Sequence, residues 1–203
     1  MKEKIIQKAT DLFLKLGFKS VTMDDIANEM AISKKTIYTH FKNKTALVKE
    51  CTCSVFHNIT AGIDEICSQE QNPIEELFEI KKFVMGTIDA EQSSPQYQLQ
   101  KYYPEIYEGI KGGHFEKMME CTRTNLRRGI EKGLYRSNMD IDFIARLYFL
   151  GIHGIKDQNL FQLEKFSTKF LTEEYLEYHL RGIVTPEGFL TLKRFIKDQQ
   201  TNE

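Results

Sequence analysis

The stretch that most restricts what this chain can fold into is Ser33-Lys34-Lys35-Thr36-Ile37-Tyr38-Thr39-His40-Phe41. Ile37 and Phe41 are its apolar members, four apart, which puts both on one side of a helix. The opposite side presents Lys34, Lys35, Thr36, Tyr38, Thr39 and His40. Just upstream, Met23–Met30 reads as another short helix. Thr22 is placed to cap it and Asp25 to complete a capping box, with Asp in the position usually held by Glu. Only Ala31-Ile32-Ser33 separates the two segments, and Ser33 is the natural N-cap of the second. Two short helices, a tight turn and a basic second helix describe a helix-turn-helix, whose second helix fits the major groove of duplex DNA.

Charge distribution agrees with this reading. Residues 1–50 hold ten Lys and six Asp/Glu, a balance of +4, whereas the remainder holds 18 Lys/Arg and 23 Asp/Glu, a balance of −5. A basic head on an acidic body suits a protein whose head alone approaches phosphate. At 41% hydrophobic and 28% charged residues, the 203-residue chain can bury a sizeable core and is globular rather than disordered. No apolar run approaches the roughly 20 residues of a membrane span, and the N-terminus lacks the pattern of a secretory signal. A cytoplasmic protein with no membrane partner is expected.

The rest of the chain reads as helical, without hairpin signals or internal repeats. Residues 3–16 carry an apolar stripe ended by Gly17. Phe13, Val21, Ile26, Ala27, Ile37 and Phe41 are the expected core of the head, which at about 45 residues is marginal alone and should lean on the next helix. That helix is expected from Asn43, its N-cap, to about Cys67. Pro73 opens a further helix reaching Ile88 and Asp89, and Ser93-Ser94-Pro95 opens another that Pro104 kinks or restarts. Gly112-Gly113 is read as a break before the stripe Phe115, Met118, Met119, Thr122, Leu126 and Ile130. Gly133 ends that helix. Helices are then expected over 141–155 and 162–183, and from Pro186 to about Lys197, the last with Thr185 as N-cap.

Two of these helices are apolar on more than one face. In 141–155, Ile141, Ile144, Tyr148, Ile152 and Ile155 form one face, while Phe143, Leu147, Leu150, Gly151 and Gly154 form a second. In 162–183, Phe166 and Phe170, then Leu171, Tyr175 and Tyr178, also occupy more than one face. A helix apolar all round must be covered on all sides, either inside one chain or by a partner. A two-fold homodimer is the preferred reading, because one helix-turn-helix reads few base pairs and two double the site. Phe143, Leu147, Leu150, Gly151, Gly154, Phe166, Phe170 and Tyr178 are its expected interface.

The chemistry-bearing residues do not assemble an enzyme. There is no Gly-rich phosphate loop, no His-Glu-x-x-His and no nucleophile elbow, and Asp24-Asp25 sits where it favours a helix dipole. No catalytic residues and no cofactor are expected. Of Cys51, Cys53, Cys67 and Cys121, the first two are separated by about 200° on a helix and cannot converge on one ion with His57. Packing is their first reading, redox sensing the second and metal binding the third; no metal is expected.

Residues 5–47 resemble the N-terminal domain of TetR-type (TetR/AcrR family) bacterial transcriptional regulators. The matching residues are Ala9, Leu12-Phe13, Gly17-Phe18, Val21 through Ala27, Ile32-Ser33-Lys34, Thr36-Ile37-Tyr38, His40-Phe41, Lys44 and Leu47. The helical body resembles their ligand-sensing and dimerisation domain, with Gly133-Leu134-Tyr135-Arg136 before an acidic helix start as a weaker match. Two positions depart from the pattern: Ala31 stands where Gly is common, and Lys35 where a small residue is common. Ala31 implies a turn without a required positive φ.

The resemblance implies an all-α protein with a three-helix helix-turn-helix DNA-binding domain at 1–47 and a larger helical ligand-binding and dimerisation domain at 48–203. It further implies a homodimer on a pseudo-palindromic operator in double-stranded DNA, acting as a repressor released when a small-molecule effector moves the helix at 44–67. An activator, or a chromosome-organising protein on the same fold, are the alternatives. Thr22, Tyr38, His40 and Lys44 are assigned to phosphates, and Lys34, Lys35, Thr36 and Thr39 to base edges. The competing assignments are a helix cap for Thr22, core cover for Tyr38, and solvated charge for Lys34 or Lys35. Phe83, Tyr103, Tyr107, Phe115, Met119 and Tyr148 are the candidate lining of the effector pocket.

Overall fold

The computed structural model describes residues 1–87, 95–157, 159–162 and 165–201, with 95–96 and 198–201 described through their backbone. These residues form α1 (Lys2–Leu16), α2 (Met23–Glu29), α3 (Lys34–Tyr38), α4 (Lys44–Ser68), α5 (Pro73–Thr87), α6 (Pro95–Tyr102), α7 (Pro104–Glu131), α8 (Ile141–Gly154), α9 (Thr168–Ile183) and α10 (Pro186–Thr201). The fold is all-α; among the described residues the only β pairing is an isolated bridge between Tyr135 and Val184. No helix among them is long and apolar enough to cross a membrane. The expected helical positions Ile88 and Asp89, the Ser93-Ser94 start, and Leu163 and Glu164 within the expected helix 162–183 lie outside the described residues.

Two compact units make up the chain. The first comprises Met1–Ala61 and Met85–His114, and the second Gly62–Val84 and Phe115–Glu203. In the first unit, α1 buries Ile5, Ala9 and Phe13 at i, i+4 and i+8. Onto this row pack Ile26 and Ala27 of α2, Ile37 of α3 and Phe41, with Phe18 and Val21 closing the connection. The six core positions expected from the sequence are therefore all buried. Leu47, Val48 and Cys51 of α4 complete the core, as a marginal head requires, and so do Leu99 of α6 and Ile106 of α7. Cys51 is a packing residue here. Burial pushes its thiol up to about 11, and the Sγ donates to the Ile6 carbonyl at 3.5 Å.

The second unit is built around Ile74, Leu77 and Phe78 of α5, Met119 and Leu126 of α7, Ala145 and Tyr148 of α8, Leu176, Leu180 and Ile183 of α9, and Leu192 of α10. A polar network is sealed within it. Glu76, 1% exposed, accepts from Asn125 Nδ2 at 2.8 Å and from Arg128 Nη1 at 2.6 Å. Asn125 Nδ2 also donates to the Pro73 carbonyl, and Tyr135 Oη donates to Asn125 Oδ1 at 3.1 Å. Arg128 Nη2 donates to the Gln71 carbonyl. Each buried polar group is thus paired, as burial demands. The Tyr135–Val184 bridge, flanked by Arg136 N to Ile183 O and Thr185 N to Leu134 O at 2.9 Å, joins the end of α7 to the start of α10.

Several local details depart from the sequence reading. Gly112-Gly113 does not break the chain: α7 runs through both for 28 residues. A glycine in a helix interior costs only about 1 kcal/mol relative to alanine, less than tertiary packing of the flanking turns supplies. Pro104 does restart the helix, since α6 stops at Tyr102. The expected helix at 162–183 begins only at Thr168, because Ser167 caps it by accepting from Phe170 N. The last helix extends past Lys197 to Thr201, with Thr185 Oγ1 accepting from Gly188 N as expected.

Ala31 overturns an expectation. It adopts φ 52°, in the left-handed region, so the turn does require a positive φ even though glycine is absent. An L-residue there costs roughly 1–2 kcal/mol. Ala31→Gly is therefore expected to stabilise the protein by about 0.5–1 kcal/mol, part of the relief being offset by the freer unfolded chain. A urea titration of the two proteins measures it, and a glycine variant less stable than the parent would refute the strain.

Candidate nucleic-acid interface

Local chemistry explains why α2 and α3 form where they do. Asp25 N donates to Thr22 Oγ1 at 3.2 Å while Thr22 N donates to Asp25 Oδ2 at 2.7 Å, a complete capping box. The Thr22 hydroxyl also donates to Asp25 Oδ2 at 2.7 Å. These hydrogen bonds hold the Asp25 carboxyl below its ordinary range. Ser33 caps α3 by accepting from Thr36 N at 3.0 Å, and its hydroxyl shares a 2.8 Å hydrogen bond with that of Thr36. The connection between the helices folds back through Ile32 N to the Ala27 carbonyl.

With Ile37 and Phe41 anchored in the core, the outward face of α3 and the residues after it follow from geometry. Lys34, Lys35, Tyr38, Thr39 and His40 are all exposed, and Thr36 is half-buried. Lys34 Nζ is held by Asp24 Oδ2 at 2.7 Å, which raises its affinity for the proton. Both partners are exposed, so the pair is screened by salt and readily exchanged for a stronger anion. Lys35 has no ion-pair partner among the described residues. Thr39 Oγ1 donates back to the Thr36 carbonyl at 2.7 Å, and the residue is exposed. Lys42, which the sequence reading passed over, is also exposed just after His40 and Phe41. Its signal was available in the Lys-Asn-Lys run after Phe41.

Two candidate positions sit differently from a freely offered donor. Thr22 spends its hydroxyl proton on Asp25, the arrangement of a cap. Lys44, in the first turn of α4, is half-buried. Its Nζ reaches the Lys19 carbonyl at 3.5 Å and lies 5.8 Å from the Phe13 ring centroid. Burial pushes its pKa down, against the opposing charge of Asp25. Asn43 Oδ1 caps α4 by accepting from Ala46 N at 2.8 Å.

The candidate effector residues divide between the two units. Tyr103 and Tyr107 pack against the core of the first. In the second, Met119 and Tyr148 are core residues, Phe115 meets Phe149 edge-on at 4.9 Å, and Phe83 lies over Gly62 so closely that a Cβ there would clash. Of the candidate dimer residues, Phe143, Leu150 and Tyr178 are 62%, 67% and 77% exposed, with Leu147 and Phe170 also exposed. Phe166 is half-buried and its ring stacks against that of Phe170 at 6.2 Å. Gly151 makes room within its own chain for Tyr175 of α9, whose hydroxyl donates to the Leu147 carbonyl at 3.1 Å. Gly154 has open space where a Cβ would lie.

Residues 5–51 match the model of bacterial regulatory proteins of the tetR family. The HTH-type transcriptional regulator YdeS of Bacillus subtilis (strain 168) is 29% identical over 148 residues, spanning 71% of this chain and 72% of its own. SmeT, the repressor of the Stenotrophomonas maltophilia multidrug efflux pump SmeDEF, superposes with a TM-score of 0.67 at 17% identity, over 92% of this chain and 91% of its own. A Saccharomonospora viridis protein crystallised in complex with choline gives 0.67 at 19% identity, over 91% and 97%. The two structures share the fold, while the family match falls on the capped helices, the turn and the basic face described above. The capped helices, the turn and the basic face thus fall in a segment that matches bacterial regulatory proteins of the tetR family, and the chain as a whole shares the fold of the two solved structures.

Proposed function

We propose that this protein is a repressor that binds a pseudo-palindromic operator as a homodimer and is released by a small-molecule effector. The observation that carries the DNA half of this reading is the α3 face: exposed Lys34, Lys35, Tyr38, Thr39 and His40 on a helix whose inner side is anchored by buried Ile37. Lys34 and Lys35 read guanine acceptors, Thr36 and Thr39 read acceptors or thymine methyls, and Tyr38 and His40 fix the head on phosphates. Thr22 and Lys44 join them once phosphate replaces Asp25 and the Lys19 carbonyl as their partners. Lys42 adds a phosphate contact in the same segment.

The dimer half is supported by α8 and α9. Phe143, Leu147 and Leu150 recur at i, i+4 and i+7 on α8, and α9 adds exposed Phe170 and Tyr178. Large apolar side chains this exposed, in one helical row, favour burial against a second copy. Repression and effector release are supported by the relatives: SmeT is a repressor, and the choline complex shows that a protein of this fold holds a small molecule. Candidates for the effector's lining are Phe83, Phe115, Met119 and Tyr148 in the second unit and Tyr103 and Tyr107 in the first.

Selection of binding sites from fragmented genomic DNA, followed by titration at several salt concentrations, tests the reading. One palindromic site should emerge, and log K should fall linearly with log salt. Lys35→Ala is expected to cost about 1–3 kcal/mol and relax preference at one base pair in each half-site. Lys42→Ala should weaken all sequences alike and lower the salt slope by about 1 per head. In the same preparation, Leu150→Glu is expected to halve the mass in solution. Weak, unselective binding to every fragment would overturn the operator reading, and a parent protein that sediments as a monomer would overturn the dimer.

A further inference from the structure

Cys67, in the last turn of α4, and Cys121, in the middle of α7, bring their Sγ atoms to 3.2 Å although 54 residues separate them in sequence. Both belong to the second unit and both are half-buried. The other two cysteines, Cys51 and Cys53, lie in the first unit. Neither cysteine of the close pair is needed to fill the main core, which is built from aliphatic and aromatic residues. We propose that Cys67 and Cys121 form a modification site, a dithiol that a hydroperoxide oxidises to an intramolecular disulfide joining α4 to α7, and that this cross-link changes the affinity for operator DNA. The second clause rests on the regulator reading above; the first stands without it.

The geometry favours a closed pair over two independent thiols. A disulfide has an S–S distance of about 2.05 Å, so bond formation draws the two sulfurs together by roughly 1 Å, within reach of side-chain rotation. The surroundings also divide the labour. Either sulfur can donate in the 3.2 Å hydrogen bond; with Cys67 as the acceptor its thiol is held below the ordinary range, helped by the Arg128 guanidinium and opposed by burial, Glu76 and Asp64. Cys121 is pushed up by the same hydrogen bond, by burial and by the charges of Cys67 and Glu76, with Lys117 opposing. In the proposed sequence Cys67, the thiol eased by the Arg128 guanidinium, attacks first and Cys121 resolves it.

The chemistry balances in two steps. The Cys67 thiolate attacks one peroxide oxygen, the O–O bond breaks, and the alcohol or water leaves after taking a proton, giving Cys67 sulfenic acid. The Cys121 sulfur then attacks Cys67 Sγ, the S–S bond forms, and the hydroxyl departs as water with the Cys121 proton. Two thiols lose two electrons, and one hydroperoxide gains them to become an alcohol and water. The consequence for DNA follows from continuity: α4 begins at Lys44 beside the recognition segment and is one helix through Cys67. Tying its far end to α7 restricts the helix whose displacement would release the head.

The test uses the full chain and hydrogen peroxide as oxidant. The parent protein should lose two of its four thiols, lose two hydrogens in intact mass, yield a proteolytic peptide linking residues 67 and 121, and recover on reduction. Cys121→Ser should instead accumulate a sulfenic acid at Cys67, trapped by dimedone, with an unchanged circular dichroism spectrum. Oxidised parent should differ from reduced parent in affinity for the selected site by about fivefold or more. Cys67→Ser/Cys121→Ser should bind like reduced parent with or without peroxide. Persistent thiols at 67 and 121 while Cys53 reacts, or a cross-link between chains, would overturn the site. A complete 67–121 cross-link with unchanged DNA affinity would overturn the regulatory clause. Failure of the reduced protein to bind any DNA would instead sink the regulator reading, and the mass and peptide results would still decide the thiol chemistry.

Discussion

Arg128→Ala is expected to destabilise the protein by about 3–5 kcal/mol, because it strands a carboxylate that has almost no contact with water. Glu76 is 1% exposed, and Arg128 supplies both its counter-charge and the donor to the Gln71 carbonyl. Total stability of a domain is about 5–15 kcal/mol, so this one change removes a large share of it. The charge argument makes a second, less intuitive forecast. Replacing both partners, as Glu76→Met/Arg128→Met, should cost less than Arg128→Ala alone, since no charge is then left buried without a partner. Asn125 keeps the Pro73 carbonyl and the Tyr135 hydroxyl in either case. Urea unfolding of the three proteins measures the difference. A loss under about 1 kcal/mol for Arg128→Ala would place the pair among ordinary exposed ion pairs and refute the argument.

Acid is expected to destabilise the protein through His179. This side chain is buried on α9 with its ring 4.6 Å from that of Tyr148, and burial lowers its pKa from the ordinary 6.5 to about 4. Burial penalises the imidazolium, so below pH 6.5 the unfolded chain binds the proton more readily than the folded one. The stability from keeping His179 neutral is thus fully present above 6.5 and is lost as pH falls through about 4. The full loss is about 3 kcal/mol, since each tenfold drop in proton affinity on folding is worth about 1.4 kcal/mol. His179→Leu should keep the aromatic packing while flattening this segment of the stability–pH curve. Parallel slopes for parent and variant between those pH values would assign the acid sensitivity to other groups.

Much of the regulatory head could be read from the sequence because its determinants are local. A cap needs Thr22 and Asp25 three residues apart; a buried face needs Ile37 and Phe41 four apart; a helix end needs Gly17. Each is a short-range rule that the chain obeys wherever it folds, and the structure honours all three. The starts of α8 and α10 are equally legible, because Asp140 and Thr185 are N-cap residue types and accept from Phe143 N and Gly188 N. Legibility failed where the energy is not local. Gly112-Gly113 looks like a break when propensity is considered alone, yet α7 passes through it, because the turns on either side are held by packing. Ala31 looks like evidence for an ordinary turn, yet the need to bring α3 back onto α1 and α2 imposes a left-handed conformation that the residue does not favour.

Adjacent residues thus specify the helical elements, the helix-turn-helix with its caps, the inward face of α3 and the basic outward face opposite it. Which residues are taken up by internal partners depends instead on how the helices pack. Lys34 is engaged by Asp24, the Thr22 hydroxyl by Asp25, and Lys44 is turned inward to the Lys19 carbonyl. Gly151 serves Tyr175 of its own chain, and Glu76 of α5 closes one buried network with Asn125, Arg128 and Tyr135 from the end of α7 and the turn after it. The same holds for Cys67 and Cys121, which no spacing rule connects. Periodicity and capping act over about one helical turn, and so are written in adjacent residues. A contact between residues 50 or more apart depends on how whole helices pack, which no single segment specifies.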